Sequence, residues 1–358
     1  MEDPLRFYVA LNGGLKVMHH RSGSTTTSGE FFDGLTVDAL IGPRQRPEVV
    51  FAAIALHGGY RSRDGGKKWE KILDGDVRCF ALDPYDERVV YAGTGPVRLL
   101  RSEDDGSTWE NLDGLQQLPE QVKSQWTVPE AYRGIQHPHV RNIFIHPDDT
   151  HLLCLALEHG GVVLSRDCGT TWEDVSGGIS YPDMHLFGNY PGSKERFYVS
   201  SARAFFRSDN YGREWRRCEN GMPWGFTDMY SYSHDWLFLP GEPSRMILAG
   251  AKGSPGVWRR EKRDPQGFLL LSDDGGEHWR RAAAGLPEAM PWMPWVLVPH
   301  PTDASTVFAG MGDGSRGFGF NPKERGKGAF YVTRDRGDSW EAVIPEMPSV
   351  LTAWVAAD

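Results

Sequence analysis

Six prolines (Pro43, Pro84, Pro147, Pro191, Pro240 and Pro301) each close a short apolar run, and six positions before them stand Val37, Arg78, Arg141, His185, His234 and Trp295. Two positions further back come Leu35, Asp76, His139, Asp183, Tyr232 and Met293. Residues two apart in a strand share a face, so each such pair points the same way. Arg78 and Arg141, joined by Arg316, suit bidentate recognition of a carboxylate or sulfate. His185 and His234 suit proton transfer near neutral pH, with Tyr232 beside them. Asp183 and Asp76 suit an acid or the orienting partner of a histidine. The ends of the strands that follow add His57, Thr94, Glu158, His159, Ser201, Lys252 and Asp313. Further ligand contacts are expected from His139, His57, Trp292 and Trp295. This set fits β-elimination from a uronate, with arginine neutralising the carboxylate while a His/Tyr pair moves protons. Alternatively, His139, His185 and His234, with Asp183 or Glu158, suit a divalent metal with an open position. No other cofactor is expected.

The elements that carry these residues are set by a repeat. Ser/Thr-x-Asp-x-Gly-x-x-Trp occurs six times: Ser62/Asp64/Gly66/Trp69, Ser102/Asp104/Gly106/Trp109, Ser165/Asp167/Gly169/Trp172, Ser208/Asn210/Gly212/Trp215, Ser272/Asp274/Gly276/Trp279 and Thr333/Asp335/Gly337/Trp340. Asn210 replaces the aspartate in the fourth copy. The pattern makes physical sense as a hairpin. Short polar side chains close the turn on backbone N–H groups, glycine takes a positive φ, and tryptophan pins the turn to a neighbouring sheet. These motifs resemble the Asp-box, or BNR, repeat of sialidases, sortilin-type receptors, xyloglucan-cleaving glycosidases and photosystem assembly propellers. The resemblance covers nearly the whole chain and implies a box hairpin remote from the ligand face, with a structural role for Asp64, Asp104, Asp167, Asn210, Asp274 and Asp335. A sialidase-like glycoside hydrolysis would use a tyrosine nucleophile with two acids, for which the candidates are Tyr232, Glu158 and Asp183.

Around each box the same four short strands return, so the expected fold is all-β: a seven-bladed β-propeller of four-stranded blades in one domain, residues 1–358. Six box-bearing blades fall between 35 and 348. The seventh combines 1–34 with 349–358, the C-terminal strand pairing with the N-terminal blade so that no edge stays open. Insertions occur at 114–139, 221–232, 253–267 and 312–328, all in connections that leave a blade opposite its box. One mouth of the propeller is therefore expected to hold the long loops and the ligand. His57, His137, His139, His159, His185 and His234 belong to that end, whereas His19, His20, His146, His151, His278 and His300 belong to outer strands or the box end. Trp126, Trp224, Trp258, Trp292 and Trp295 lie in the long loops or at the mouth, where indoles either stack on sugar rings or pack the loops together.

Composition narrows the partners. The 358 residues include 42 Gly and 13 Trp, which argues for strands and turns over a helical bundle. A net charge of −9 argues against a nucleic-acid partner. No apolar run reaches membrane-spanning length and no signal peptide is expected, so four cysteines without C-x-x-C spacing are expected as reduced thiols in the cytoplasm. The reading is a hydrolase or lyase acting on an anionic, carbohydrate-like small molecule. A non-catalytic propeller scaffold and a His-ligated metalloenzyme are the alternatives. The oligomeric state is not legible.

Overall fold

A computed structural model of the chain describes residues 4–129, 137–223, 231–313 and 326–358. Strands alternate with glycine-rich turns into seven four-stranded antiparallel sheets, the blades of a β-propeller. In the order of strands across each sheet, blade 1 is Val350–Ala357, Leu5–Leu11, Gly14–Arg21 and Ser24–Phe31. Blade 2 is Val37–Ile41, Val50–Ile54, Gly58–Ser62 and Glu70–Leu73. Blade 3 is Asp76–Leu82, Val90–Gly95, Arg98–Ser102 and Glu110–Asn111. Blade 4 is His139–His146, Asp149–Glu158, Gly161–Ser165 and Glu173–Asp174. Blade 5 is Met184–Asn189, Phe197–Ser201, Phe205–Ser208 and Arg216–Arg217. Blade 6 is Ser231–Leu239, Glu242–Lys252, Gly267–Ser272 and Arg280–Arg281. Blade 7 is Met293–Pro299, Val307–Gly312, Gly328–Thr333 and Glu341–Met347. The C-terminal strand closes blade 1 by pairing with Leu5–Leu11, as expected.

The chain separates into two compact units. One comprises Met1–Val37, Ala202–Phe205 and Cys218–Asp358; the other comprises Asp38–Ser201 and Phe206–Arg217. In the second unit, apolar residues of facing sheets fill the space between blades 3 and 4, among them Leu99, Val140, Leu153 and Leu157. In the first, Leu269, Leu271, Leu297 and Val307 do the same between blades 6 and 7.

Each box closes its turn by one scheme. Ser165 Oγ accepts the Gly169 N–H at 2.8 Å and donates to Asp167 Oδ1 at 2.8 Å, and that carboxylate accepts the Thr171 N–H at 2.8 Å. Asn210 does the same work with its carbonyl, accepting Ser208 Oγ at 2.9 Å and the Glu214 N–H at 3.0 Å. Trp109, Trp215 and Trp279 donate their indole N–H to Ile72, Val175 and Cys218 carbonyls of the preceding blade or its link. Trp172 and Trp340 differ, donating to the carbonyl of their own box glycine.

A second regularity lies in the first strands. Facing registers skip one residue: Leu351 in blade 1, Arg78 in blade 3, Arg141 in blade 4, His234 in blade 6 and Trp295 in blade 7. In blade 5 the skip spans His185 and Leu186. The proline-aligned column is thus a row of β-bulges, which re-aim a side chain and bend the strand. The next residue reaches the following blade. Asp38 meets Arg78 at 2.9 Å, Cys79 Sγ donates to the Val140 carbonyl at 3.3 Å, and Asn142 Oδ1 accepts the Phe187 N–H at 3.0 Å. In the other unit, Asp235 Oδ2 accepts the Leu297 N–H at 2.7 Å.

The box hydrogen bonds make acid stability testable. Backbone and hydroxyl donation by Thr108, then Ser102, holds the Asp104 carboxyl down to about 2 against an ordinary 3.8. A carboxyl depressed on folding contributes stability that is complete above its unfolded value and is lost as pH falls toward the folded one. Asp104→Asn keeps the acceptor and removes the titration, as Asn210 does. Urea unfolding should find this variant less stable than the native protein at pH 7 and show it losing less stability between pH 4 and pH 2, so that the two converge in acid; an equal or greater acid loss would contradict this role.

Candidate functional site

Strand pairing in blade 4 builds one polar group. His139 opens the first strand and pairs with Glu158, the last residue of the second. Arg141, on the bulge two residues on, falls on the same side. Both side chains reach the same oxygen: His139 Nε2 lies 3.6 Å and Arg141 Nε 3.5 Å from Glu158 Oε2. Beyond Glu158 the chain turns through His159, Gly160 and Gly161, with His159 at φ +60°. Gly161 donates its N–H to the Pro182 carbonyl at 3.0 Å, docking the lead-in to blade 5 on this turn. A Cβ at Gly161 would sit 2.1 Å from Ser176 Oγ, so only glycine fits. That contact brings Asp183 to the turn, and His185 follows two residues later. One donor atom each from Glu158, His159 and Asp183 lies within 4.8 Å of the others.

Burial and charge set the protonation states. Burial disfavours ionised Glu158, but His139, Arg141, His185 and His159 outweigh it and hold this carboxyl well below the usual range. Burial pushes His139 down to about 4, against the pull of Glu158. With His139 neutral at pH 7, the cation that Glu158 answers to is Arg141. His159 is lowered for the same reason, burial outweighing Glu158. The group therefore offers an ionised carboxylate, two neutral imidazoles and a guanidinium at one loop-bearing sheet end. These can accept a proton, anchor an anion or ligate a cation.

Other expected site residues have different fates. Arg78 spends its fork on two carboxylates, 2.9 Å from Asp38 and 2.8 Å from Asp76, and is therefore committed within the fold. His57 is exposed in the turn of blade 2, its Nδ1 2.9 Å from the Ala55 carbonyl. In the first unit, Tyr232 stacks on His234 and both meet Trp295 edge-on, with Trp258 closing the cluster. Trp295 and Trp258 are buried, and the Trp258 N–H donates to the Lys252 carbonyl. Trp292 and Trp126 pack against the cores of their units. Of the two roles open to these indoles, the four described here serve packing. Arg316 and Trp224 lie outside the described residues. Among the described residues, the three-donor group is Glu158, His159 and Asp183, which shares the carboxylates Glu158 and Asp183 with the expected metal set and has His159 where that set had His139, His185 and His234. Sequence reasoning missed Asp38 and Asn142, which sit one residue past the column; their polarity beside a bulge position was the available signal.

Seven four-stranded blades define a β-propeller, and this polar sheet end is its candidate site. No protein-family model matches the sequence. Over 220 residues the chain is 24% identical to an oligoxyloglucan-reducing end-specific xyloglucanase of Emericella nidulans, covering 57% of this chain and 24% of that protein. It is 25% identical over 272 residues to xyloglucanase Xgh74A of Acetivibrio thermocellus, covering 71% of this chain and 25% of that protein. The chain thus spans about a quarter of the length of these curated relatives. A GH74 xyloglucanase structure from Xanthomonas campestris superposes with a TM-score of 0.65 at 17% identity, over 99% of this chain and 52% of that one. YCF48 bound to D1 peptide superposes with a TM-score of 0.55 at 16% identity, over 86% and 87%. These likenesses establish the fold.

The Arg78 cluster is mostly buried, so removing its cation strands two carboxylates. Arg78→Ala should destabilise the protein by about 3–5 kcal/mol in urea unfolding. A loss below about 1 kcal/mol, the range of exposed pairs, would show that the pairing is solvated.

Proposed function

We propose that the chain is a hydrolase acting on an anionic, carbohydrate-like small molecule, with its active centre at the loop-bearing ends of blades 4 and 5. The observation that carries this reading is the convergence of His139, Arg141, Glu158, His159 and Asp183 on one sheet end. Arg141 anchors the anionic group by charge-assisted hydrogen bonds. His139, neutral at pH 7, and His185 handle protons, and Glu158 and Asp183 supply the carboxylates. Hydrolysis is preferred over elimination because the matched curated relatives are xyloglucan-cleaving enzymes. Tyr232 is buried among aromatic rings, which favours blades 4 and 5 over a sialidase-like tyrosine centre. A binding-platform reading draws on YCF48, which was solved with a peptide and is matched over 87% of its own chain.

The test is a panel of neutral xyloglucan oligosaccharides and uronate- or sialate-bearing oligosaccharides, with products weighed by mass spectrometry. Water addition on an anionic member is expected. Arg141→Ala and His185→Ala should each lower kcat/KM about 100-fold or more. Unsaturated products would replace hydrolysis by elimination. No turnover on any member, or hydrolysis indifferent to both substitutions, would sink the proposal.

A further inference from the structure

We propose that Glu158, His159 and Asp183 form a binding site for one divalent first-row transition-metal ion. Their donor atoms already lie within 4.8 Å of one another, a spread that a shared ion can bridge with small side-chain movements. Two carboxylates so close repel each other, and a divalent cation turns that cost into attraction.

The turn supplies a second observation. Its counterpart in blade 2 runs from Ile54 to Gly58 with the same left-handed residue, Leu56 at φ +64°, whose side chain is 52% exposed. Blade 4 places His159 at that position, at φ +60° and only 4% exposed. A turn that elsewhere directs its side chain to solvent here buries an imidazole beside two carboxylates. The Gly161 N–H to Pro182 carbonyl bond keeps Asp183 in place across the blade boundary, so the donors are preorganised.

Donor chemistry selects the ion. Two carboxylate oxygens and one imidazole nitrogen suit Mn²⁺ or Zn²⁺ better than Ca²⁺, which takes oxygen ligands, or Cu⁺, which takes sulfur. Three protein donors leave positions for water or a ligand oxygen. The inference goes beyond the hydrolytic reading and is tested without substrate.

The purified full chain is stripped with chelator, loaded with Zn²⁺, Mn²⁺ or Co²⁺ alone, and dialysed. One ion per chain should be retained, and the Co²⁺ form should show visible absorption bands of an imidazole–carboxylate site. Asp183→Asn and His159→Asn, the latter keeping a residue tolerant of positive φ, should each weaken binding at least tenfold with unchanged circular dichroism. In the native protein the ion should protect His159 from carbethoxylation, mapped by mass spectrometry, which decides the question if either variant fails to fold. Failure to retain an ion, affinity unchanged in a folded variant, or His159 modified equally with and without metal would each overturn the site. Hydrolysis by a chain that retains no ion would leave the proposed function intact while removing this inference.

Discussion

The first-strand bulge is the constraint on which the rest depends. A regular strand would send alternate side chains to opposite faces, and a residue aimed at one end of the blade would be followed by one aimed at the other. The extra residue at Arg78, Arg141, His185, His234 or Trp295 breaks that alternation at one place in each of these blades. Two consecutive residues then take different jobs. The bulged one is presented beside the residue two before it: Arg78 meets Asp76, Tyr232 stacks on His234, and His139 and Arg141 share Glu158. The following one grips the next blade. Local backbone geometry thus makes both the polar groups and the spacing between them.

Two of those groups show how one set of charges is made inert or available. Around Arg78, a guanidinium and two aspartates meet at 2.8–2.9 Å. Around Arg141, a guanidinium faces Glu158 at 3.5 Å, and a donor atom of Asp183 lies within 4.8 Å of Glu158 and His159. The formal charges are alike, one cation to two anions. The neighbours differ: the first group pairs a guanidinium closely with two aspartates, whereas the second sets Glu158 among the imidazoles of His139 and His159 as well as a guanidinium. Desolvation makes the first costly to break.

Much of this was legible in the sequence because it is carried by punctuation. Box glycines and tryptophans mark the outer hairpins, and the prolines end the first strands at a constant distance from the bulge. Counting back from proline therefore found Arg141, His185 and His234 without any knowledge of pairing. The count could not show what each side chain meets. Arg78 and Arg141 are equivalent by position, and only the neighbour one blade earlier separates them: Asp38 stands beside Arg78, while Arg141 has Cys79, whose sulfur goes to the Val140 carbonyl. The tryptophans pose the same difficulty, since an indole that stacks on sugar and one that packs a loop have the same sequence surroundings. The metal-ligand expectation chose histidines by column, whereas the folded group takes His159 from a turn, where spacing along a strand says nothing.

Asn142 acquires a meaning from its place in the chain. It is joined to Arg141 by one peptide bond and to blade 5 by one hydrogen bond, through the Phe187 N–H two residues past His185. One side-chain hydrogen bond therefore joins the Arg141 strand to the His185 strand. The strands that carry the guanidinium and the imidazole are thus tied by a neutral amide, a tie that no change of pH would loosen.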